Sequence, residues 1–334
     1  MTSGRQKGAV VQRWNGIDAI PEDLAASVVT IGNFDGVHRG HAAVLEAVVQ
    51  AARTHDAAAV AMTFHPHPAQ VHRPGKAPEL LTGLADKLDL LAEQGLDAAL
   101  VIDYTRDFAK QDAETFVRRY LVDALKVRAV VVGDDVRFGR DNAGDRTTMA
   151  DLGLRYGFDV HLIHDAADPG ERRWSSTWVR ELLEAGNAEA AAEVLGRPHR
   201  MRGTVVHGHS RGKDLGFPTA NLHADATGAV PADGVYAGWL LRRPGTEQAQ
   251  RLPAAISVGT NPTFDGVIRQ VEAHVLGRWD LDLYEEEVVV EFVRMLRPTV
   301  RFDSIEVLIR QIGQDARDAA EVLGVPEPPD PPMT

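Results

Sequence analysis

Short, continuous runs of apolar residues alternate with helix-like stretches through the first half of the chain. The runs are rich in Val, Ile and Ala and do not alternate with polar residues, which is typical of strands buried on both faces of a parallel sheet. They cover Val28–Gly32, Ala58–Phe64, Ala98–Asp103, Ala129–Gly133 and Asp159–His164. The pattern predicts an α/β domain whose helices cross over between parallel strands.

The second half has a different pattern, in which strand-like segments follow one another with few helices between them. Gly, Pro and Asp turns separate these segments, which favours an antiparallel barrel or sandwich. The predicted strands are Met201–His207, Val235–Leu241, Leu252–Val258, Val271–Leu276 and Glu287–Met295. Helical periodicity over Asp303–Leu323 predicts a final helix that caps the barrel.

Two predicted helices, Trp178–Ala185 and Ala188–Leu195, lie between the halves and are separated by Gly186. The chain has 334 residues, enough for two domains at about 150 residues each. We predict a first domain over residues 1–186, a second over 187–325 and a flexible Pro-rich tail over 326–334.

Composition narrows the partners that the chain can have. A formal net charge of −12 disfavours non-specific binding to nucleic acid and anionic membranes, although a small phosphorylated substrate needs only a local basic pocket. The absence of cysteine excludes disulfides, thiolate metal sites and cysteine nucleophiles. No signal peptide or stretch of about 18 apolar residues occurs, so we expect a cytoplasmic protein with no nucleic-acid or membrane partner. Homo-oligomerisation stays open.

The segment GNFDGVHRGH, at residues 32–41, follows a predicted strand and opens a predicted helix. Backbone N–H groups at such a helix start can hold phosphate oxygens. His38 and His41 are three residues apart, so both can face one phosphate. The alternative is a tight strand-to-helix turn with two solvated histidines.

Three more segments offer groups for a phosphorylated ligand. Ser175, Ser176 and Thr177 are N-cap residues by type and precede Arg180, although they could simply cap the helix. The segment at 133–139 ends a strand, where ligands bind in open parallel sheets. His65 and His67, in the segment TFHPHP at residues 63–68, do not predict a zinc site, because each precedes a proline and no carboxylate or cysteine completes a ligand set.

In the second half, glycines surround Arg211 and Lys213 in a basic loop that could fold over a triphosphate, although a plain hairpin loop is the alternative. Thr219 and Asn221 offer two neutral oxygens for Mg²⁺. Glu272 lies between apolar strand residues, which suggests burial and hence a task or a partner, unless it faces solvent. No Walker A motif occurs.

These motifs carry a resemblance to known families. The segments at 32–41, 63–68, 133–139 and 175–180 resemble, in order, the motifs of the bacterial FAD synthetase module, a member of the HxGH nucleotidyltransferase superfamily. The stretch RGKDLGFPTAN, at 211–221, resembles the riboflavin kinase signature. The resemblance implies a Rossmann-like α/β nucleotidyltransferase domain followed by an antiparallel Greek-key β-barrel domain with a C-terminal helix.

The resemblance also implies substrates and site residues. The substrates would be riboflavin, FMN and ATP, with Mg²⁺ as cofactor, and the catalytic residues His38, His41 and Glu272. ATP would bind for adenylyl transfer at Gly32, Phe34, Asp35, His38, His41, Asp135, Ser175, Ser176, Thr177 and Arg180. The kinase would bind ATP phosphates at Gly208, Arg211, Gly212, Lys213, Gly216 and Pro218, and Mg²⁺ at Thr219 and Asn221.

Three positions depart from the pattern of these families: Val136 replaces an aromatic residue, Trp174 an isoleucine and Glu285 a glycine. The first two could reshape the flavin or adenine pocket, and the third could alter a turn.

Three alternatives compete with a bifunctional enzyme. Only one site could be active, a dead kinase barrel could serve as a flavin sensor or carrier, and a tRNA synthetase could share the HxGH element. Retention of the metal ligands and of Glu272 argues against the second, and the acidic charge, short length and barrel signature against the third.

Overall fold

The computed structural model describes residues 11–163, 172–207, 216–263 and 266–329. Contacts divide the chain into two compact units, Met1–Glu79 with Leu84–Trp174 and Leu80–Gly83 with Ser175–Thr334. This division falls before the two helices between the halves, whereas the domain boundary after residue 186 stays a prediction.

The first unit is built on a six-stranded parallel sheet in the order β1-β4-β3-β2-β5-β6. Its strands are β1 (Gln12–Asn15), β2 (Ser27–Ile31), β3 (Ala58–His65), β4 (Ala98–Asp103), β5 (Val127–Gly133) and β6 (Asp159–Ile163). Its helices are α1 (Arg39–Thr54), α2 (Pro68–His72), α3 (Leu84–Glu93), α4 (Ala113–Phe116), which continues as a π-helical segment over Val117–Ala124, and α5 (Arg146–Tyr156). Single 3₁₀ turns cover Ile17–Ala19, Phe108–Lys110 and Arg140–Asn142.

Apolar clusters cover both faces of this sheet, which is why its central strands carry unbroken apolar runs. Val29 and Val60 belong to one cluster, with Leu121 of the π-helical segment. Val28 belongs to the other, with Leu45 of α1. The predicted Rossmann-like domain is confirmed, although the first strand was not foreseen because three of its four residues are exposed.

The second unit is a closed antiparallel barrel in which β9, β10 and β11 are successive neighbours and β12 returns beside β9, the Greek-key arrangement. Its strands are β7 (His199–Val206), β8 (Ala220–Leu222), β9 (Gly234–Arg242), β10 (Gln250–Thr263), β11 (Gly266–Val275) and β12 (Glu287–Pro298). Its helices are α6 (Ser176–Glu184), α7 (Ala188–Leu195) and α8 (Ile305–Leu323). The predicted barrel with a C-terminal helix is confirmed.

The helix α8 packs against the barrel through a stripe of alanines that includes Ala316 and Ala319, which contacts Ala237 of β9. Arg297 of β12 fixes the contact by donating two hydrogen bonds, of 2.8 and 2.7 Å, to the carboxylate of Asp315 on the helix. Asp315 is only 4% exposed, so the pair satisfies a charge that burial would otherwise make costly.

Candidate active sites

The turn from β2 into α1 has an uncommon backbone. Phe34 and Val37 have φ angles of 48° and 39°, and Gly36 between them has a φ of 80°. A Cβ atom on Gly32 would lie 2.9 Å from the Phe34 ring, so the close approach requires glycine. Positive φ in non-glycine residues costs energy and concentrates at functional sites. We call residues 32–38 the nucleotidyl loop.

The structure brings His38 and His41 together at the end of this loop. His38 is the N-cap of α1, and its Nδ1 accepts a hydrogen bond of 3.3 Å from the backbone N–H of His41. Their rings stack with centroids 3.7 Å apart. Gly40 permits this packing, because a Cβ there would lie 3.2 Å from the His38 ring. The pair therefore lies where helix N–H groups and the helix dipole favour an anion.

The loop lies at the position where an open parallel sheet binds ligands. Strand order reverses between β2 and β5, and the carboxyl ends of both strands reach the same edge. The segment after β5 contains Asp135, whose carboxylate pairs with Arg173 at 3.0 Å. Val136, which replaces an aromatic residue, is buried in a core cluster of the sheet.

The sequence did not lead us to predict a role for Lys87, a buried lysine that contacts the end of β3. Lys87 of α3 is 5% exposed, and its Nζ donates a 3.5 Å hydrogen bond to Oγ1 of Thr63 at the end of β3. Burial lowers the pKa of Lys87 to about 8, and the charge of Asp35 partly opposes that shift. The sequence does contain a signal for this buried lysine. Lys87 lies three residues after Leu84 and four before Leu91, so it falls within the apolar stripe of an amphipathic helix.

The predicted phosphate-binding residues after the sheet lie at the start of α6, in the second unit. Ser175 is the N-cap, and its hydroxyl accepts a hydrogen bond of 3.2 Å from the backbone N–H of Trp178. Ser176 and Thr177 occupy the first turn and Arg180 the next. Ser175 thus has the capping role that the sequence left as an alternative.

The histidines near β3 have structural partners. His67 is the N-cap of α2, with its Nδ1 accepting from the backbone N–H of Ala69, and His72 Nε2 lies 2.9 Å from the Tyr104 hydroxyl. Burial, with a further contribution from Lys87, lowers the pKa of His65. Across the described ranges no group of three His, Asp or Glu side chains could hold a metal ion.

On the barrel, the residues predicted for metal binding and proton transfer form one hydrogen-bonded cluster. Asn221 of β8 lies opposite Glu272 of β11. The Thr219 hydroxyl donates to the Glu272 carboxylate at 3.3 Å and accepts from the Asn221 amide at 3.1 Å. Gln270, two residues before Glu272 on the same face of β11, donates to Asn221 Oδ1 at 2.8 Å. The sequence reasoning missed Gln270, although strand alternation places it beside Glu272.

Glu272 is half-buried and not enclosed in the barrel core. The apolar residues beside it, Val271, Ala273 and Val275, are buried in that core. Because side chains alternate across a strand, Glu272 points to the other face of the barrel wall. Its burial is therefore less than its neighbours suggested, and its carboxylate is accessible to a ligand.

Two side chains, the buried His274 and the partly exposed Trp279, hold the backbone that leads into this cluster. His274 Nδ1 lies 2.9 Å from the Pro218 carbonyl oxygen, and Trp279 Nε1 donates to the Gly216 carbonyl at 3.0 Å. Burial lowers the pKa of His274, which favours its neutral form. The other predicted phosphate-binding positions, Gly208, Arg211, Gly212 and Lys213, lie outside the described residues.

Comparison with known proteins matches each half of the chain to a family. The FAD synthetase family model matches residues 20–178, and the riboflavin kinase family model matches residues 195–323. The bifunctional riboflavin kinase/FMN adenylyltransferase of Escherichia coli strain K12 is 38% identical over 90% of this chain and 94% of its own length. The chain belongs to the family of bifunctional riboflavin kinase/FMN adenylyltransferases. The Pseudomonas fluorescens member of this family is 34% identical and covers 95% of this chain and 99% of its own length.

A solved structure shares the fold of this family member. The crystal structure of a protein named macrolide-efflux protein, from Streptococcus pneumoniae, is 29% identical, with a TM-score of 0.80. It covers 92% of this chain and 97% of its own. In the described part of our chain no helix has the length and apolar character needed to cross a membrane.

One turn of this chain keeps a left-handed backbone although glutamate stands where the family usually has glycine. Glu285, which follows Leu283 and Tyr284, has a φ of 62°, in the left-handed region that favours glycine. Its backbone N–H donates to the Val205 carbonyl at 2.9 Å. The substitution noted in the sequence therefore leaves a left-handed turn in place.

Proposed function

We propose that the barrel unit transfers the γ-phosphate of ATP to riboflavin, giving FMN, and that the nucleotidyl loop serves the adenylylation of FMN to FAD. The observation that carries this proposal is the hydrogen-bonded cluster of Thr219, Asn221 and Glu272, because a mere flavin binder needs neither metal ligands nor a base. Membership of a family named for both activities supports it.

In the kinase reaction, we assign Glu272 as the general base. The ribityl hydroxyl of riboflavin attacks the γ-phosphorus, ADP leaves, and the hydroxyl proton passes to the Glu272 carboxylate. The half-buried position of that carboxylate leaves it accessible to the hydroxyl. The Thr219 hydroxyl, which contacts Glu272, orients it.

The same cluster suits Mg²⁺, a hard cation that prefers oxygen ligands and usually binds together with substrate phosphates. Thr219 Oγ1 and Asn221 Oδ1 would hold the ion, and Gln270 fixes the Asn221 amide so that its oxygen keeps one orientation. When bound, Mg²⁺ neutralises charge on the transferring phosphate. Gly216 and Pro218, with Gly208, Arg211, Gly212 and Lys213, would bind the other phosphates.

In the adenylylation reaction, an FMN phosphate oxygen attacks the α-phosphorus of ATP and pyrophosphate leaves. Such a transfer needs positioning and charge neutralisation rather than a covalent intermediate. We assign His38 and His41 to the ATP phosphates, because they stack together at the start of α1. The other proposed ATP-binding residues are Gly32, Phe34, Asp35, Asp135, Ser175, Ser176, Thr177 and Arg180.

The direct test is incubation of the full chain with riboflavin, ATP and Mg²⁺, followed by chromatographic separation of the flavins. FMN should form first and FAD later. Failure to form FMN would overturn the kinase assignment, and failure to convert supplied FMN to FAD would overturn the adenylylation assignment. We place the protein in the cytoplasm, a reducing compartment that its lack of cysteine fits, and we expect no nucleic-acid or membrane partner, because its net charge of −12 opposes polyanions.

A further inference from the structure

Lys87 is a buried cation in a position that the two proposed reactions do not yet explain. It is 5% exposed and lies on α3, away from the chain segments that carry the family motifs. A buried charge is costly unless it is paired. The charge of Asp35, itself 3% exposed, favours the protonated form of Lys87.

Hydrogen bonds continue from Lys87 into the nucleotidyl loop. Lys87 Nζ donates to Thr63 Oγ1 at 3.5 Å, and the same hydroxyl donates to the Asn33 carbonyl at 3.3 Å. Thr63 is fully buried. The lysine therefore connects to the loop by two routes, electrostatically to Asp35 and through the Thr63 hydroxyl to Asn33.

The loop needs such support because its backbone is strained. Phe34 and Val37 both have positive φ, and the loop ends at His38. Conformations of this kind persist only where the surrounding structure over-determines them. Loss of the support would let the loop relax and would displace the stacked pair of His38 and His41.

We propose that Lys87 is a positioning residue for adenylyl transfer, holding the nucleotidyl loop through Asp35 and Thr63. This inference rests on the proposed function of that loop. We assign Lys87 no contact with the reacting phosphates, because its side chain is only 5% exposed and its Nζ donates to Thr63. Asp35 then has two proposed roles, as the charge that favours protonated Lys87 and as a residue of the ATP site.

The test is a double-mutant cycle in the full chain with Lys87→Met and Asp35→Asn, using the conversion of supplied FMN to FAD. Methionine keeps the length of the side chain and removes its charge. Lys87→Met should lower kcat by about 100-fold, the scale of a misplaced catalytic group, with the KM for ATP changed less than about threefold. In the Asp35→Asn background the same substitution should cost less than about threefold, because its partner is already neutral.

Two controls accompany the cycle. Lys110→Met removes an exposed lysine of the same unit, whose Nζ lies 2.7 Å from Asp107, and should leave kcat unchanged. Riboflavin phosphorylation by Lys87→Met should stay normal, which reports that the barrel is folded, and the circular dichroism spectrum of the full chain should match wild type, which reports that the first unit is folded as well. If Lys87→Met does not fold, Thr63→Val removes only the hydroxyl bridge and should lower kcat by about three- to tenfold.

Normal kcat in Lys87→Met, or in Thr63→Val if that variant carries the test, would overturn the inference. So would a raised KM for ATP at unchanged kcat, which would make Lys87 a substrate-binding group, or equal losses in both backgrounds of the cycle. Absence of FAD formation by the wild-type chain would overturn the proposed function and this inference with it, so the two failures are distinguishable.

Discussion

At the scale of single residues, the role of Glu272 is the sharpest chemical assignment. Glu272→Gln keeps the size and the contact with Thr219 but cannot accept a proton. FMN formation should lose about 10²- to 10⁴-fold in kcat, the usual contribution of a general base, with little change in the binding of riboflavin and ATP. Steady-state kinetics of riboflavin phosphorylation measure this. Retention of more than about a tenth of normal turnover would show that another group accepts the proton.

His199 gives a prediction about stability and pH. It is 2% exposed on β7, and its Nε2 lies 2.7 Å from the Ala229 carbonyl oxygen. Burial lowers its pKa from 6.5 to about 4, so between these values the unfolded chain binds the proton and the folded chain does not. The contribution of neutral His199 to the free energy of unfolding is complete above the unfolded pKa of 6.5, decreases as the pH falls below that value, and is lost once the pH has fallen through the folded pKa of about 4. The full change in the free energy of unfolding is about 3 kcal/mol.

His199→Gln keeps a donor to Ala229 and does not titrate. The loss of barrel stability on acidification from about pH 7 to about pH 4.5 should therefore be smaller in the variant than in wild type. Hydrogen exchange of the barrel strands measures the opening free energy of this unit. Identical pH dependence in the two proteins would contradict the assigned burial of a neutral imidazole.

At the scale of elements, the pairing of β8 with β11 determines the proposed metal site. Asn221→Ala removes one oxygen ligand, so the kinase should need more Mg²⁺ for half-maximal activity, and excess Mg²⁺ should partly restore turnover. Titration of both activities with Mg²⁺ tests this, and adenylylation should keep its normal requirement. Thr246→Ala, in an exposed turn of the same barrel, is the matched control. An unchanged Mg²⁺ requirement in Asn221→Ala would remove this residue from the metal site.

The helices and strands also show how much of the fold can be predicted from the sequence. The strands with unbroken apolar runs were predicted to within a few residues, because burial on both faces leaves a strong pattern. The helix α7 was predicted because Gly186 and Gly196 mark its limits. The strands β1 and β8 were missed, since one is mostly exposed and the other has only three residues. Lys87 and Gln270 were missed for a different reason: each acquires its partner only through tertiary contacts.

At the scale of the whole molecule, the two units should work separately. A fragment of residues 187–334 should fold and phosphorylate riboflavin, because the barrel has its own core, which includes Tyr236 and Phe292, and its own proposed ATP site. Circular dichroism and the kinase assay test the fragment. An insoluble or inactive fragment, under conditions where the full chain works, would count against a domain boundary after residue 186.

The central claim is that one chain carries two independent transfer sites, and a mixture of two variants tests it most directly. His41→Ala should form FMN from riboflavin but no FAD, and Glu272→Gln should form FAD only from supplied FMN. Neither variant alone should convert riboflavin to FAD, whereas an equimolar mixture should do so, because FMN released by the first serves the second. Loss of both activities in either single variant, or a mixture that makes no FAD, would contradict the two-site account.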